Sequence, residues 1–265
     1  MIDKLLMQGG KNLKLQYVQP VLSIGLFVSA FSVSADNTSC SQLPTHEALT
    51  QALKQVVATT SDSKNGGLEL NMWASVVARD GTVCQVTKTG ASFDDQWPGS
   101  RVISAQKANT ANAFSLSGLA LSTANLWKAT QPGGSLFGLQ FSNPVDTNVA
   151  YQGKAKDFGT SKDPLNGKRI GGVNVFGGGL GLYNSEGEII GALGVSGDTS
   201  CADHNIAWKA RDVLNLDFVP SGVSATNDDN IIYDATHGFS HPLCGNSEVD
   251  IARALPTSHK ISKKQ

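Results

Sequence analysis

Gly171–Tyr183 (GGVNVFGGGLGLY), Asn184–Gly187 (NSEG) and Glu188–Val195 (EIIGALGV) decide the fold. Two apolar, glycine-tolerant runs joined by a four-residue Asn/Gly turn read as a pair of antiparallel strands. A second hairpin stands upstream, with Met72–Ala78 (MWASVVA) and Thr82–Thr87 joined through Arg79-Asp80-Gly81. Asp-Gly between β-rich runs is a strong hairpin signal. Phe137–Phe141 is a further expected strand. Hairpins argue against a parallel doubly wound sheet.

Helical patterns surround these strands. Pro44–Thr60 carries Leu49, Leu53, Val56 and Val57 at amphipathic spacing, and Pro44 suits a first helical turn. Arg101–Lys128 is helix-compatible, with Ser104, Ala108, Ala111 and Ser115 forming a face almost without bulk. Such a face lets a helix lie close to a sheet, another helix or a ligand. Gly118 is expected to break it. A later helix runs from about Cys201 to Leu216, with Asp198, Thr199 or Ser200 as its cap. Ser142–Lys168 reads as an extended loop or insertion, and Val219–Gln265 as irregular chain ending in a basic KISKK tail. In this order the elements predict an α/β (α+β) sandwich around a largely antiparallel sheet.

The N-terminus reads as an export signal. Lys11 and Lys14 precede the apolar run Val21–Val33 (VLSIGLFVSAFSV), which is too short for an ordinary membrane span. Small residues follow, and cleavage is expected after Ala35, with Ala30 the second choice. Residues 1–35 are thus a signal peptide, 36–220 the domain and 221–265 an extension. Removing Lys4, Lys11, Lys14 and Asp3 shifts the net charge from −1 to −3. That balance argues against nucleic acid or an anionic membrane as partner. No later stretch is long and apolar enough to span a bilayer. The expected location is periplasmic or secreted.

Four cysteines lie beyond the cleavage site, which suits disulfides in an oxidising compartment. Three pairings are open. Cys201 with Cys244 would staple the tail, and Cys40 with Cys84 would tether the mature N-terminus. No pair has C-x-x-C spacing, so a metal or redox site is the weaker reading.

Chemistry-bearing motifs are sparse. Gly177-Gly178-Gly179-Leu180-Gly181 lacks both the G-x-x-x-x-G-K-[ST] loop and G-x-G-x-x-G; its glycines suit a bulge or a close backbone approach. Gly194-Val195-Ser196-Gly197 falls one residue short of a nucleophile elbow. There is no H-E-x-x-H. Lys107, flanked by Gln106, Asn109 and Asn112, is either a solvated helical charge or a partner for a ligand carboxylate such as a haem propionate. Asp198, Asp203 and His204 gather at a helix start, where a carboxylate usually caps and a neutral imidazole can bind metal or haem iron. His237 and His241 would share a face only in a helix, which Gly238, Ser240 and Pro242 disfavour. Met72 reads as core.

Ile103–Phe114 (ISAQKANTANAF) taken with Gly171–Trp208 (GGVNVFGGGLGLYNSEGEIIGALGVSGDTSCADHNIAW) resembles the GlcG/HbpS-like family of haem-binding or haem-degrading proteins. That family also includes the C-terminal domain of certain cobalamin adenosyltransferases. SVVARDGTV fits the same pattern. The resemblance covers roughly Pro44–Leu216, most specifically through GEIIGALGVSG. The segment TKTGASFDDQWPGSR, the Ser142–Lys168 insertion and the cysteine-bearing tail depart from it. The resemblance implies a profilin-like antiparallel sheet flanked by helices, symmetric homo-oligomers, and haem or a related small molecule as ligand. It marks Lys107 and the loop Gly194–Asp198, with Ser196 and Asp198, as pocket-edge positions.

The expected function is an exported small-molecule binder for haem or a similar tetrapyrrole, with His204 as axial ligand. Alternatives are an enzyme acting on haem or a small organic acid, using the helix N-terminus near Asp198 and Lys107, and an oligomeric scaffold without a small ligand.

Overall fold

The computed structural model describes residues 37–58 and 65–262. The expected signal peptide, its cleavage points and Lys11 and Lys14 lie outside these residues. Helices are α1 (His46–Val57), α2 (Ser100–Phe114), α3 (Trp127–Thr130), α4 (Leu139–Ser142), α5 (Thr147–Ala150), α6 (Ser200–Val213) and α7 (Glu248–Ser258). Strands are β1 (Trp73–Ala78), β2 (Val83–Lys88), β3 (Gly179–Tyr183) and β4 (Ile189–Ser196). They form one sheet in the order β2-β1-β4-β3, with every neighbouring pair antiparallel.

Helices cover both faces of the sheet. Along β1, Ala74, Val76 and Ala78 join Leu49 and Leu53 of α1 and Ile206, Ala207 and Ala210 of α6 in one core. Trp73 and Val77 point the other way, toward Val102, Ala105, Ala108 and Ala111 of α2. This two-residue alternation explains why β1 is buried throughout. Met72 is fully buried in the first core.

The small face of α2 has the use its composition suggests. Ser104 and Ala108 lie against Gly194 of β4, where an added Cβ would sit 1.9 Å from the Ser104 carbonyl oxygen and 2.5 Å from the Ala108 nitrogen. Ser104 and Ser75 share a buried hydroxyl–hydroxyl bond of 2.7 Å. The helix ends at Phe114, before Gly118. A 3-10 turn at Thr123–Leu126, capped reciprocally by Ser122 and Asn125, then leads into α3.

Three expected element assignments are corrected. Residues 171–178 form an irregular loop before β3, because Asn109 and Thr110 of α2 bond Gly172 and Asn174 of that loop in place of a strand partner. Phe137–Phe141 is turn and short helix, with Phe137 and Phe141 exposed and Gly138 in the left-handed region. The tail is not irregular throughout: α7 buries Ala252 and Leu255. Pro256 lies in its last turn, and the Ala252 carbonyl that a proline cannot bond accepts Asn230 Nδ2 at 2.8 Å.

Buried ion pairs fasten the added segments. Arg101 on α2 makes a two-pronged pair with Asp163 of the insertion, and its guanidinium lies 3.9 Å from the Phe158 ring centroid. Arg211 on α6 grips both oxygens of Asp229 in the tail at 2.7 Å. Disulfides join Cys40 to Cys84 and Cys201 to Cys244. Among the described residues no helix is long and apolar enough to cross a membrane.

Candidate functional site

The end of β4 and the start of α6 bring Asp203, and through it Asp198, to Lys107 of α2, whereas Ser196 pairs with Trp73 and His204 faces Asn230 and Ile231. Glycine permits this convergence. A Cβ on Gly178 would come within 3.2 Å of Lys107 Nζ, and one on Gly179 within 2.5 Å of the Lys107 carbonyl oxygen. Lys107 is buried and donates to the Val195 carbonyl at 3.1 Å and to Asp203 Oδ2 at 2.6 Å. Burial lowers its pKa, and the Asp203 charge opposes that shift. Burial likewise pushes Asp203 up to about 6, against the pull of Lys107.

Each loop residue has its own task. Asp203 Oδ1 accepts the Asp198 amide at 2.9 Å. Asp198 accepts the amides of Leu68, Leu70 and Thr199, tying the incoming chain to the loop. Thr199 caps α6 by accepting the Ala202 amide. Ser196 closes β4 opposite Trp73 and is buried.

His204 is fully buried one turn into α6. Its Nε2 lies 3.1 Å from the Ile231 amide nitrogen, which also donates to Asn230 Oδ1 at 2.8 Å, and 3.3 Å from that Asn230 Oδ1. Burial, with Arg211 and His241 adding to it, depresses the pKa to about 3. Nδ1 is buried without a hydrogen-bond partner.

The tail segment that bonds His204 also walls a groove. About 630 Å³ in volume, it is lined by Ile231, Ile232, Tyr233, Leu243, Val249 and Ala252, with Arg253 and Asp234 among its polar lining residues. The volume is typical of a small-molecule cleft. Asn230 and Ile231 line it too, so the backbone amide on His204 belongs to the groove wall. Lys107, Ser196 and Asp198 are not among the lining residues. Sequence reasoning missed the groove because its residues come from a tail expected to be irregular. The spacing of Val249, Ala252 and Arg253 on α7 was the available signal.

His237 and His241 are not on a helix. His241 is buried, with its ring 6.1 Å from that of Trp127, whereas His237 is only partly buried.

The fold defines a mixed α/β protein class built on one antiparallel four-stranded sheet with helices on both faces. The family model described as "Haem degrading protein HbpS-like" matches residues 45–212, more than half of the chain, and the chain belongs to this family. Among solved structures, a PduOC:heme complex is similar at 26% identity over 66% of this chain and 96% of its own, with a TM-score of 0.45. The Klebsiella pneumoniae protein ORFY, of family DUF336, is similar at 28% identity over 64% and 89%, with a TM-score of 0.42. No curated protein gives a significant match.

Proposed function

We propose that the protein binds haem or a closely related tetrapyrrole in the groove beside α7, with His204 as the iron ligand. Membership of the HbpS-like family supports the ligand class. The observation that carries the site is that His204 Nε2 meets the Ile231 amide and Asn230 Oδ1, both on residues that line the apolar groove.

The residues present fit the group. A neutral imidazole with its proton on Nδ1 would offer Nε2 to iron. Ile231, Ile232, Leu243 and Ala252 offer apolar surface to the macrocycle, and exposed Arg253 offers a guanidinium to a propionate. Lys107 acts from below as a positioning residue: with Asp203 it holds the Asp198 loop and the first turn of α6. For Nε2 to reach iron, the Ile231 amide and the Asn230 side chain must turn away, and the ligand then takes the place of both contacts.

Haem titration of the mature, oxidised protein tests this. A saturable Soret shift at one haem per chain is expected. A shift no larger than that of a nonspecific protein control would overturn the proposal. Adding a reductant then separates binding from turnover, since intact haem points to a carrier and loss of the Soret band with product formation to an enzyme.

Export to an oxidising compartment belongs to the same proposal and is supported by the two disulfides. Mass spectrometry of the protein made in a secreting bacterium should find a chain beginning at Asp36. Native mass spectrometry should find a homo-oligomer, and a strict monomer would contradict that part.

A further inference from the structure

We infer that Cys201, Cys244, His241 and Glu248 form a zinc site when the disulfide between the two cysteines is reduced. The inference is independent of haem.

These residues converge from three segments: the first turn of α6, the loop at 241–244 and the first turn of α7. One ligand atom from each of Cys201, Cys244 and Glu248 lies within 4.8 Å of the others. His241 Nδ1 stands 3.9 Å from Cys201 Sγ. Around a tetrahedral zinc ion, with metal–sulfur and metal–nitrogen bonds near 2.3 and 2.0 Å, neighbouring sulfur and nitrogen atoms are about 3.6 Å apart. The His241–Cys201 spacing is close to this, while the two sulfurs, bonded at 2.07 Å in the disulfide, separate to about 3.8 Å once it is reduced.

His241 is buried. Its Nε2 is buried without a partner, while Nδ1 lies 2.8 Å from the Pro242 carbonyl. Moving the proton to Nε2 frees the Nδ1 lone pair and gives up the bond to the Pro242 carbonyl, so the ring must turn slightly to face the sulfur. Glu248 Oε1 accepts the amides of Cys244 and Gly245 and Oε2 that of Asn246, which hold the carboxylate beside Cys244. Two soft thiolates, an imidazole and one carboxylate favour zinc over calcium or magnesium.

The chemistry balances. A dithiol reductant breaks the S–S bond, delivers two electrons and two protons, and is itself oxidised to a disulfide. Cys201 and Cys244 become thiols, and binding of Zn²⁺ releases both thiol protons to solvent.

The test uses the full mature chain, reduced anaerobically with a phosphine, desalted and titrated with Co²⁺. We expect one Co²⁺ per chain, a near-ultraviolet sulfur-to-cobalt charge-transfer band, and displacement by stoichiometric Zn²⁺. The oxidised chain and C201S/C244S should show no such band. H241A and E248Q should each weaken binding by about tenfold or more. Any of three results would overturn the inference: no charge-transfer band in the reduced chain, undiminished binding in C201S/C244S, or wild-type affinity in H241A. So would a reduced chain that loses its circular dichroism and does not recover it with Zn²⁺.

Discussion

Lys107 and Asp203 are a charge pair held away from water, and their value lies in each neutralising the other's burial. Replacing one partner leaves an uncompensated charge, which costs about 3–5 kcal/mol. Asp203→Asn should therefore lower unfolding free energy by about that amount in urea titrations. Lys107→Met placed on top of it should restore part of the loss, because the stranded amine is gone. A double variant no more stable than Asp203→Asn would contradict this view of the pair. The histidines make a second prediction. His204 and His241 have pKa values of about 3 and 4, below the ordinary 6.5. Between those values the unfolded chain binds more protons than the folded one, so their contribution is complete above pH 6.5 and is lost as pH falls through that window. Asp203, raised to about 6, acts in the opposite sense between pH 6 and 3.8. Two groups outweigh one, and stability at pH 5 should be about 2–3 kcal/mol below that at pH 7. Denaturation curves that coincide at the two pH values, or favour pH 5, would contradict it. None of this was legible in the sequence, where Lys107 reads first as a solvated helical charge; the backbone at Gly178, the Val195 carbonyl and Asp203 enclose it only in the fold.

At the scale of elements, α2 and β4 meet through residues chosen for what they lack. Gly194→Ala would drive a methyl group into the Ser104 carbonyl, and should destabilise the protein by about 3 kcal/mol or abolish soluble expression. A soluble variant with unchanged thermal stability would show that the helix can lift. The small face of α2 was legible because Ser104, Ala108, Ala111 and Ser115 recur at helical spacing. The 171–178 loop was not, because apolar residues at alternating positions look like a strand until α2 side chains take the backbone groups a strand would need. The tail segment 228–231 is held by Arg211 to Asp229 and by the Ile231 amide to His204. Asp229→Asn should raise hydrogen exchange across residues 228–234 and cost about 3 kcal/mol or more. Unchanged exchange there would mean that the ion pair does not fasten this segment.

For the whole molecule, two hairpins and three amphipathic or small-faced helices gave the sheet and its layers, and GEIIGALGVSG gave the family. The disulfide pairs followed from asking which ends need tethering. The groove was illegible for a physical reason: its walls come from loop and α7 residues separated by up to 32 positions, Ser224 to Pro256, and no local period joins them. The family region supplies His204 and the extension supplies the groove, so the proposed ligand site would be a joint product of the two. The most direct test of that claim is the absorption spectrum of the ferric haem complex of His204→Ala beside that of wild type. Wild type should show a saturable low-spin spectrum at one haem per chain, and the variant should lose that spectrum while its circular dichroism is retained. An identical Soret maximum and affinity in the two proteins would contradict the assignment.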